Sequence, residues 1–158
     1  MLLAKVIPTY PCRLTHLSLA KCNIPPKGLI RLFSSFQMNY SFSLGIVSLN
    51  LAFNKFDESA VVAFEGWMDK TKQHVSLEYL NLASSSVSWR VLSAIKMFPK
   101  LTSLIMSGNP IPSNDAKIVA SFLSEAPMLT TIDLSDTGMD KSSVIDPIMD
   151  QISKMKCK

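Results

Sequence analysis

The chain has 158 residues, enough for one domain, and its 47% apolar content is ordinary for a protein with a buried core. No apolar run approaches the roughly 18 residues of a membrane-spanning helix, so we expect no membrane insertion. The net charge of +4 comes mostly from Lys154, Lys156 and Lys158, a short basic end that is typical of a solvated tail rather than a nucleic-acid-binding face.

The first segment, residues 1–11, is an apolar stretch that ends at Pro8 and Pro11. It lacks the basic start and the small-residue cleavage site of a signal peptide. Prolines terminate helices, and a similar apolar segment precedes the last repeat described below. We therefore interpret residues 1–13 as either half of a repeat whose other half is absent or an N-terminal cap.

A pattern of spaced leucines then recurs five times. Its first copy, residues 14–24, reads L-x-x-L-x-L-x-x-C-x-I. The copies begin at residues 14, 46, 77, 101 and 129, which gives steps of 32, 31, 24 and 28 residues. Spacing of this kind is the signature of a leucine-rich repeat, with insertions in the two longer steps.

Each copy predicts a short strand followed by a polar turn. The L-x-L core alternates apolar and polar residues, as in a strand with its leucines facing inward. The ninth position needs a polar partner for buried loop backbone, and its occupants predict a ladder of hydrogen bonds: Cys22, Asn54, Ser85, Asn109 and Thr137. Asn54 and Asn109 are the best donors among them. The eleventh position returns to the core with Ile24, Phe56, Val87, Ile111 and Met139.

An apolar stripe at helical spacing follows each copy, which predicts a helix that packs back on its strand. The stripes are Leu29, Leu32, Phe33 and Phe36; Val61, Phe64, Trp67 and Met68; Val91, Leu92, Ile95 and Phe98; Ile118, Val119, Phe122 and Leu123; and Val144, Ile145, Ile148, Met149 and Ile152. Ser59 is a cap or first-turn residue of the second of these helices. Residues 69–76 predict a polar loop, and the short third repeat leaves room for two to three helical turns.

These units predict an α/β leucine-rich repeat solenoid, a horseshoe with a parallel sheet on its concave face and helices on its convex face. We expect about five repeats, more than the three or so needed for a stable stacked core. Residues 14–152 form the repeat domain in this interpretation, and residues 153–158 a basic C-terminal tail.

The motif set resembles the ribonuclease-inhibitor-like leucine-rich repeats over essentially residues 2–152. The phrases SLNLAFNKF and TTIDLSDTGM, with the insertion-bearing steps, are similar to the repeat region of the capping-protein–myosin linker (CARMIL) family of actin regulators. That family also has an N-terminal membrane-binding domain and a long capping-protein-binding tail, neither of which is present in this sequence. The resemblance implies a repeat region alone and assigns no role to individual residues.

The sequence shows no catalytic constellation. His16 and His74 have no cysteine or carboxylate at metal-ligand spacing, and no Gly-rich phosphate loop or nucleophile elbow occurs. The repeat slot of Cys22 explains that residue structurally, and the pair Asp133 and Asp136 is typical of a solvated acidic surface. We therefore predict a non-enzymatic protein without cofactor or metal.

Cysteine usage indicates the compartment. Cys12, Cys22 and Cys157 are odd in number and form no Cys-x-x-Cys pair, so no disulfide framework is expected. Free thiols suit a reducing environment, and we predict the cytoplasm.

The remaining candidate is the concave face, where the outward residues of the strands form columns. We predict that it binds a partner protein through His16, Lys21, Asn50, Phe53, Tyr79, Asn81, Ile105, Asp133 and Asp136. Phe53 and Tyr79 are the expected anchors, because exposed aromatic residues often dominate interfaces. The function expected is a protein–protein interaction scaffold. The alternative is a fragment of a larger CARMIL-like regulator of actin assembly or signalling that acts beside other domains. The sequence gives neither the partner's identity nor the oligomeric state, and predicts no nucleic-acid partner.

Overall fold

The structure, a computed structural model, describes residues 2–9, 11, 14–71, 76–96, 98–126 and 128–154. One sheet holds five parallel strands in sequence order: β1 His16–Ser18, β2 Ser48–Asn50, β3 Tyr79–Asn81, β4 Ser103–Ile105 and β5 Thr131–Asp133. The register pairs the same motif position of each repeat with the next, as His16 with Ser48 and Ser48 with Tyr79. The predicted repeat phase and parallel sheet are confirmed.

The middle residue of each strand faces the core, as the L-x-L pattern predicts. Leu49, Leu80 and Leu104 in the three inner strands are fully buried. Leu17 and Ile132 in the two outer strands are only half-buried, because among the described residues each outer strand pairs with a strand on one side alone.

Helices form a second layer on one side of the sheet. Their bounds are α1 Leu3–Val6, α2 Pro26–Met38, α3 Tyr40–Gly45, α4 Glu58–Thr71, α5 Leu92–Ile95, α6 Ala116–Glu125 and α7 Ser142–Lys154. Short 3₁₀ turns lie at Ile7–Thr9, Trp89–Val91 and Ser113–Asp115. Helices of successive repeats contact each other, most extensively α2 with α4 and α6 with α7. Within the described residues, no helix combines the length and apolar content that crossing a bilayer requires.

The core between the layers is centred on Trp67 of α4. Its ring lies 6.0 Å from that of Phe33, 5.1 Å from that of Phe36 and 5.7 Å from that of Phe64, measured between centroids. The indole Nε1 donates to the hydroxyl of Ser43 at 3.3 Å, so the buried nitrogen is paired. Aromatic contacts of this kind add about 0.5–1.5 kcal/mol per pair to the burial of the rings themselves.

Two predicted helix features differ in the structure. The sequence predicts a polar loop over residues 69–76, but Asp69–Thr71 form the last turn of α4. The helix extends this far because the buried Thr71 hydroxyl donates to the carbonyl of Trp67 at 2.9 Å. The third repeat holds a 3₁₀ turn and the four-residue α5 rather than a helix of two to three turns, because its short step leaves less chain.

Helices α4 and α7 differ from the prediction in smaller details. The Asp57 carboxylate, one residue before α4, accepts the N–H of Ala60 at 2.8 Å, so Asp57 is the cap and Ser59 lies in the first turn. The predicted apolar stripe of α7 includes Met149, but this residue is 53% exposed in the structure. The side chain of Ile152 lies outside the described residues, as do Cys12, His74, Lys156, Cys157 and Lys158.

Candidate functional site

The loops after the strands are held by the predicted asparagine ladder. Asn54 Nδ2 donates to the carbonyl of Leu19 in the preceding repeat at 2.8 Å, and its Oδ1 accepts the N–H of Ile24 at 2.9 Å. Asn109 repeats the arrangement, donating to Leu82 at 2.9 Å and accepting from Ser85 at 3.1 Å. Both side chains are buried, so one amide satisfies backbone groups of two repeats.

The other ladder positions contribute less. The Ser85 hydroxyl donates to the carbonyls of Leu51 at 3.3 Å and Ala83 at 3.1 Å. Thr137 donates to Leu134 at 2.6 Å, within its own repeat. Cys22 is exposed, and its thiol donates to the carbonyl of Ala20 in its own loop at 3.6 Å. Asn54, Ser85 and Asn109 thus reach back to the preceding repeat, whereas Cys22 and Thr137 bond within their own.

The concave face, defined as the exposed side of the five strands and their following turns, carries the predicted columns. Strand pairing aligns His16, Ser48, Tyr79, Ser103 and Thr131 in one column and Ser18, Asn50, Asn81, Ile105 and Asp133 in the next. Six of the nine predicted contact residues lie in these two columns, and Lys21, Phe53 and Asp136 lie in the turns that follow the strands. Their role in binding stays a prediction. His16 Nδ1 is hydrogen-bonded to the Thr15 hydroxyl at 2.9 Å.

The second column has a structural role that sequence reasoning missed. The side chains of Asn50, Asn81 and Asp133 each accept the backbone N–H two residues later, at 3.1, 2.9 and 2.9 Å. Such turns are a known habit of Asn and Asp, so the residue type at the strand end was the available signal. Ile105 has no side-chain acceptor and is the apolar exception in the column.

Asp133 is also perturbed electrostatically. The hydroxyl and the backbone N–H of Ser135 donate to its Oδ1 at 2.5 and 2.9 Å. These hydrogen bonds favour the ionised carboxylate and lower the pKa of Asp133 below its usual range. The acidic end of the concave face therefore carries a persistent negative charge near neutral pH.

The turn after each strand requires a left-handed backbone. The motif position that follows the third column has φ 57° at Lys21, 60° at Phe53, 49° at Ser84, 68° at Gly108 and 54° at Asp136. Only glycine adopts this region without a steric penalty. At Gly108 glycine is also needed for space, because a Cβ atom there would lie 2.3 Å from the Ser84 hydroxyl.

Phe53 is the unusual occupant of this column. A bulky aromatic residue at positive φ is a genuine outlier among protein residues. The residue is 50% exposed, and the ammonium of Lys21 lies 4.9 Å from the ring centre, within cation–π range. Tyr79, one repeat along, is half-buried, and its hydroxyl accepts a hydrogen bond from Asn81 at 3.2 Å. The structure thus presents an aromatic and basic end and an acidic end on one face.

The described residues offer no metal site. No group of three or more His, Cys, Asp or Glu side chains in this part of the chain is arranged to hold an ion.

Comparisons with known proteins agree with this architecture. A family model described as Leucine Rich repeat matches residues 11–33. Among solved structures, the fold is similar to that of Leiomodin-1 Actin-Binding Site 2, with a TM-score of 0.67 and 15% identity over 96% of this chain and 88% of that one. At 15% identity this likeness concerns the fold alone. A search of curated protein sequences finds no significant match.

Proposed function

Because the chain is a leucine-rich repeat protein, we propose that it is a scaffold that binds a partner protein on its concave face. The observation that carries this proposal is Phe53. The residue occupies a left-handed turn position with φ 60° and is 50% exposed. Glycine or asparagine would adopt the turn at lower cost, so we attribute the aromatic ring at this position to contact with a partner.

The surroundings of Phe53 support the same role. Lys21 covers one part of the ring, while Tyr79 lies one repeat further along the sheet. Tyrosine is among the residue types that are enriched at the energetic centres of interfaces. The opposite end of the face carries Asp133 and Asp136. We therefore propose a partner whose surface is acidic toward Lys21 and basic toward the last repeat.

The test is a side-by-side capture from cell lysate with the wild-type chain and a Phe53→Gly/Tyr79→Ala variant, with bound proteins identified by mass spectrometry. Val62→Ala is the matched control, because Val62 is a similarly exposed apolar residue, 53% accessible, on helix α4. We expect a partner that the wild type and the control retain and the double variant loses. Equal recovery by all three baits would reject the concave face as the binding surface.

A second candidate is an actin-related function. It is favoured by the similar fold of Leiomodin-1 Actin-Binding Site 2. It is also the alternative raised by the CARMIL-like phrases, in which this region acts in cis beside other domains of a larger regulator. Co-sedimentation with filamentous actin and a pyrene–actin polymerisation assay test it directly. Absence of binding together with unchanged polymerisation would remove actin as the partner.

We propose the cytoplasm as the compartment, since the exposed Cys22 thiol suits reducing conditions. The division into residues 1–13, 14–152 and 153–158 stays a proposal, and α7 extends through Lys154 across its last boundary. Limited proteolysis with mass spectrometry would test the division, because a protease cuts exposed, loosely held chain at the ends of a domain before it cuts the folded domain itself.

A further inference from the structure

Helix α5 interrupts the convex helical layer in the middle of the solenoid. It has four residues, whereas α4 before it has 14 and α6 after it has ten. At about 1.5 Å per residue, α5 is about 6 Å long and α4 about 21 Å. Helix α5 contacts α4 and α6 much less extensively than α2 contacts α4 or α6 contacts α7. The helical layer is therefore least closely packed at the third repeat, which has a repeat on either side.

A groove lies between α5 and α6, with a volume of about 220 Å³. Leu92 and Phe122, which line it, are buried, and Ile118 is half-buried. The polar residues along it are Ser93, Lys96, Lys117 and Ser121. All of these except the half-buried Lys96 are exposed. The α5–α6 groove therefore has an apolar interior and a polar rim.

The volume of the α5–α6 groove favours one kind of occupant. An apolar cavity of about 150 Å³ accommodates a benzene ring, whereas pockets for drug-sized ligands measure about 300–1,000 Å³. At about 220 Å³, the groove has room for one leucine or phenylalanine side chain. It therefore fits a single anchoring residue of a protein better than a free small molecule.

The rim of the groove offers an unpaired positive charge. The ammonium of Lys96 is paired with the Glu125 carboxylate at 2.8 Å, and the Ser121 hydroxyl donates to the same carboxylate at 2.5 Å. Lys117 forms no ion pair within the part of the chain that the structure describes. It lies in the first turn of α6, where the helix dipole also favours a nearby negative charge. A carboxylate is therefore the complement of this rim.

The two helices that form the groove indicate the shape of the occupant. Backbone groups inside a helix bond to one another, so an added strand finds no backbone partners along the length of α6. A groove between helices instead accepts the apolar face of an amphipathic helix, which is a recurring mode of peptide recognition. A helix is therefore the occupant that this part of the convex face fits.

We propose that the α5–α6 groove binds an acidic amphipathic helix of a partner protein, on the convex face and apart from the concave surface. One apolar side chain of that helix, the size of leucine, enters the groove and contacts Leu92, Ile118 and Phe122. A glutamate or aspartate three or four residues away lies on the same face of the bound helix. Its carboxylate pairs with Lys117.

The test is an NMR titration of the isotope-labelled full chain with synthetic helical peptides of about 15 residues, since shorter isolated helices are marginal in water. The glutamate peptide carries one leucine with glutamates three and four residues away in an alanine-rich background. The lysine peptide replaces the glutamates, and the alanine peptide replaces the leucine. We expect the glutamate peptide to shift the amide signals of α5 and α6. The lysine peptide should bind at least about threefold more weakly and the alanine peptide about tenfold more weakly.

Two variants test whether binding occurs in the groove. Ser93→Phe places a ring in the groove from an exposed position, so the melting temperature should be retained while the glutamate peptide binds about tenfold more weakly. Lys117→Glu should weaken the glutamate peptide about threefold and strengthen the lysine peptide. Lys27→Glu, exposed on α2, is the control, because it changes the net charge equally outside the groove. Phe53→Gly should leave all peptides unaffected, which separates this site from the concave face.

Several outcomes would overturn the proposal. One is undiminished binding of the glutamate peptide to a folded Ser93→Phe chain, and another is an equal loss of binding in Lys117→Glu and Lys27→Glu. Sedimentation of the chain as a dimer that Ser93→Phe dissociates would assign the groove to a second copy instead. Binding of anionic lipid vesicles without binding of the glutamate peptide would assign Lys117 to a membrane surface.

Discussion

The side-chain amide of Asn54 in the second repeat donates to the backbone carbonyl of Leu19 in the first at 2.8 Å. Asn109 makes the same bond to Leu82 at 2.9 Å, one repeat back. These bonds cross from repeat to repeat at the point where the chain leaves the sheet. The solenoid is therefore held together by paired backbone groups as well as by its apolar core.

Replacing Asn109 by leucine should destabilise the fold by about 1–3 kcal/mol, because buried backbone groups lose their partner. The groups affected include the N–H of Ser85 and the carbonyls of Leu82 and Met106. Urea unfolding followed by circular dichroism measures the change. Asn114→Leu is the control, since Asn114 is exposed in the 3₁₀ turn Ser113–Asp115, and should shift stability little. An unaltered midpoint for Asn109→Leu would mean that the ladder does not stabilise the loops.

Gly108→Ala should lower stability by about 1–2 kcal/mol, since φ is +68° and the new Cβ would lie 2.3 Å from the Ser84 hydroxyl. Adding Ser84→Gly should recover the part that comes from the collision, and a thermodynamic cycle of the four chains isolates that part. Gly66→Ala in α4 is the control, because its Cβ would meet only Gln37 at an ordinary 3.4 Å. That helical change should stabilise the chain. Additive effects at positions 84 and 108 would contradict the predicted collision.

At position 53 glycine should give a more stable protein than alanine, by about 1 kcal/mol, because alanine pays a steric penalty at φ 60° that glycine escapes. Both variants lose the contact with Lys21, so that loss cancels in the comparison. The same pair of substitutions at Val62, exposed on α4, should show the opposite order, since alanine is the better helix former. Thermal unfolding of the four variants measures both differences, and alanine exceeding glycine at position 53 would contradict the left-handed turn.

Asp133 should make a small contribution to stability that depends on pH. Its pKa is lowered in the folded chain by hydrogen bonds from Ser135, so the contribution is present above the usual aspartate range near pH 4. It is lost as pH falls through the lower folded value. The side chain is partly exposed, which limits the effect to less than about 1 kcal/mol.

Urea unfolding of the wild type and Asp133→Asn across a pH series measures this contribution. The stability difference between the two chains should shrink as the solution is acidified below about pH 4. Other carboxylates with lowered pKa, such as Glu125, are present in both chains, so their titration cancels. A difference that stays constant with pH would assign the role of Asp133 to its turn alone.

Much of the concave face could be predicted because its positions are fixed by the repeat. Strand pairing aligns Ser48 with Tyr79 and Asn50 with Asn81, as the motif spacing requires. The sequence did not predict which of these side chains form hydrogen bonds within their own turn and which point to solvent. Asn50 and Asn81 form turn hydrogen bonds to the backbone, and that commitment depends on how the chain bends after the strand.

The sequence by itself determined the repeat, the strand phase, the inward leucines and the asparagine ladder. These follow from spacing along the chain, since a period of two fixes which side chains share a face of a strand. Tertiary structure decided the length of α5, the extension of α4 to Thr71 and the left-handed backbone at Phe53. It also decided that Leu17 stays half-buried at an open edge. Those features depend on which neighbours each repeat packs against, and packing between repeats is not encoded in the local pattern of any one of them.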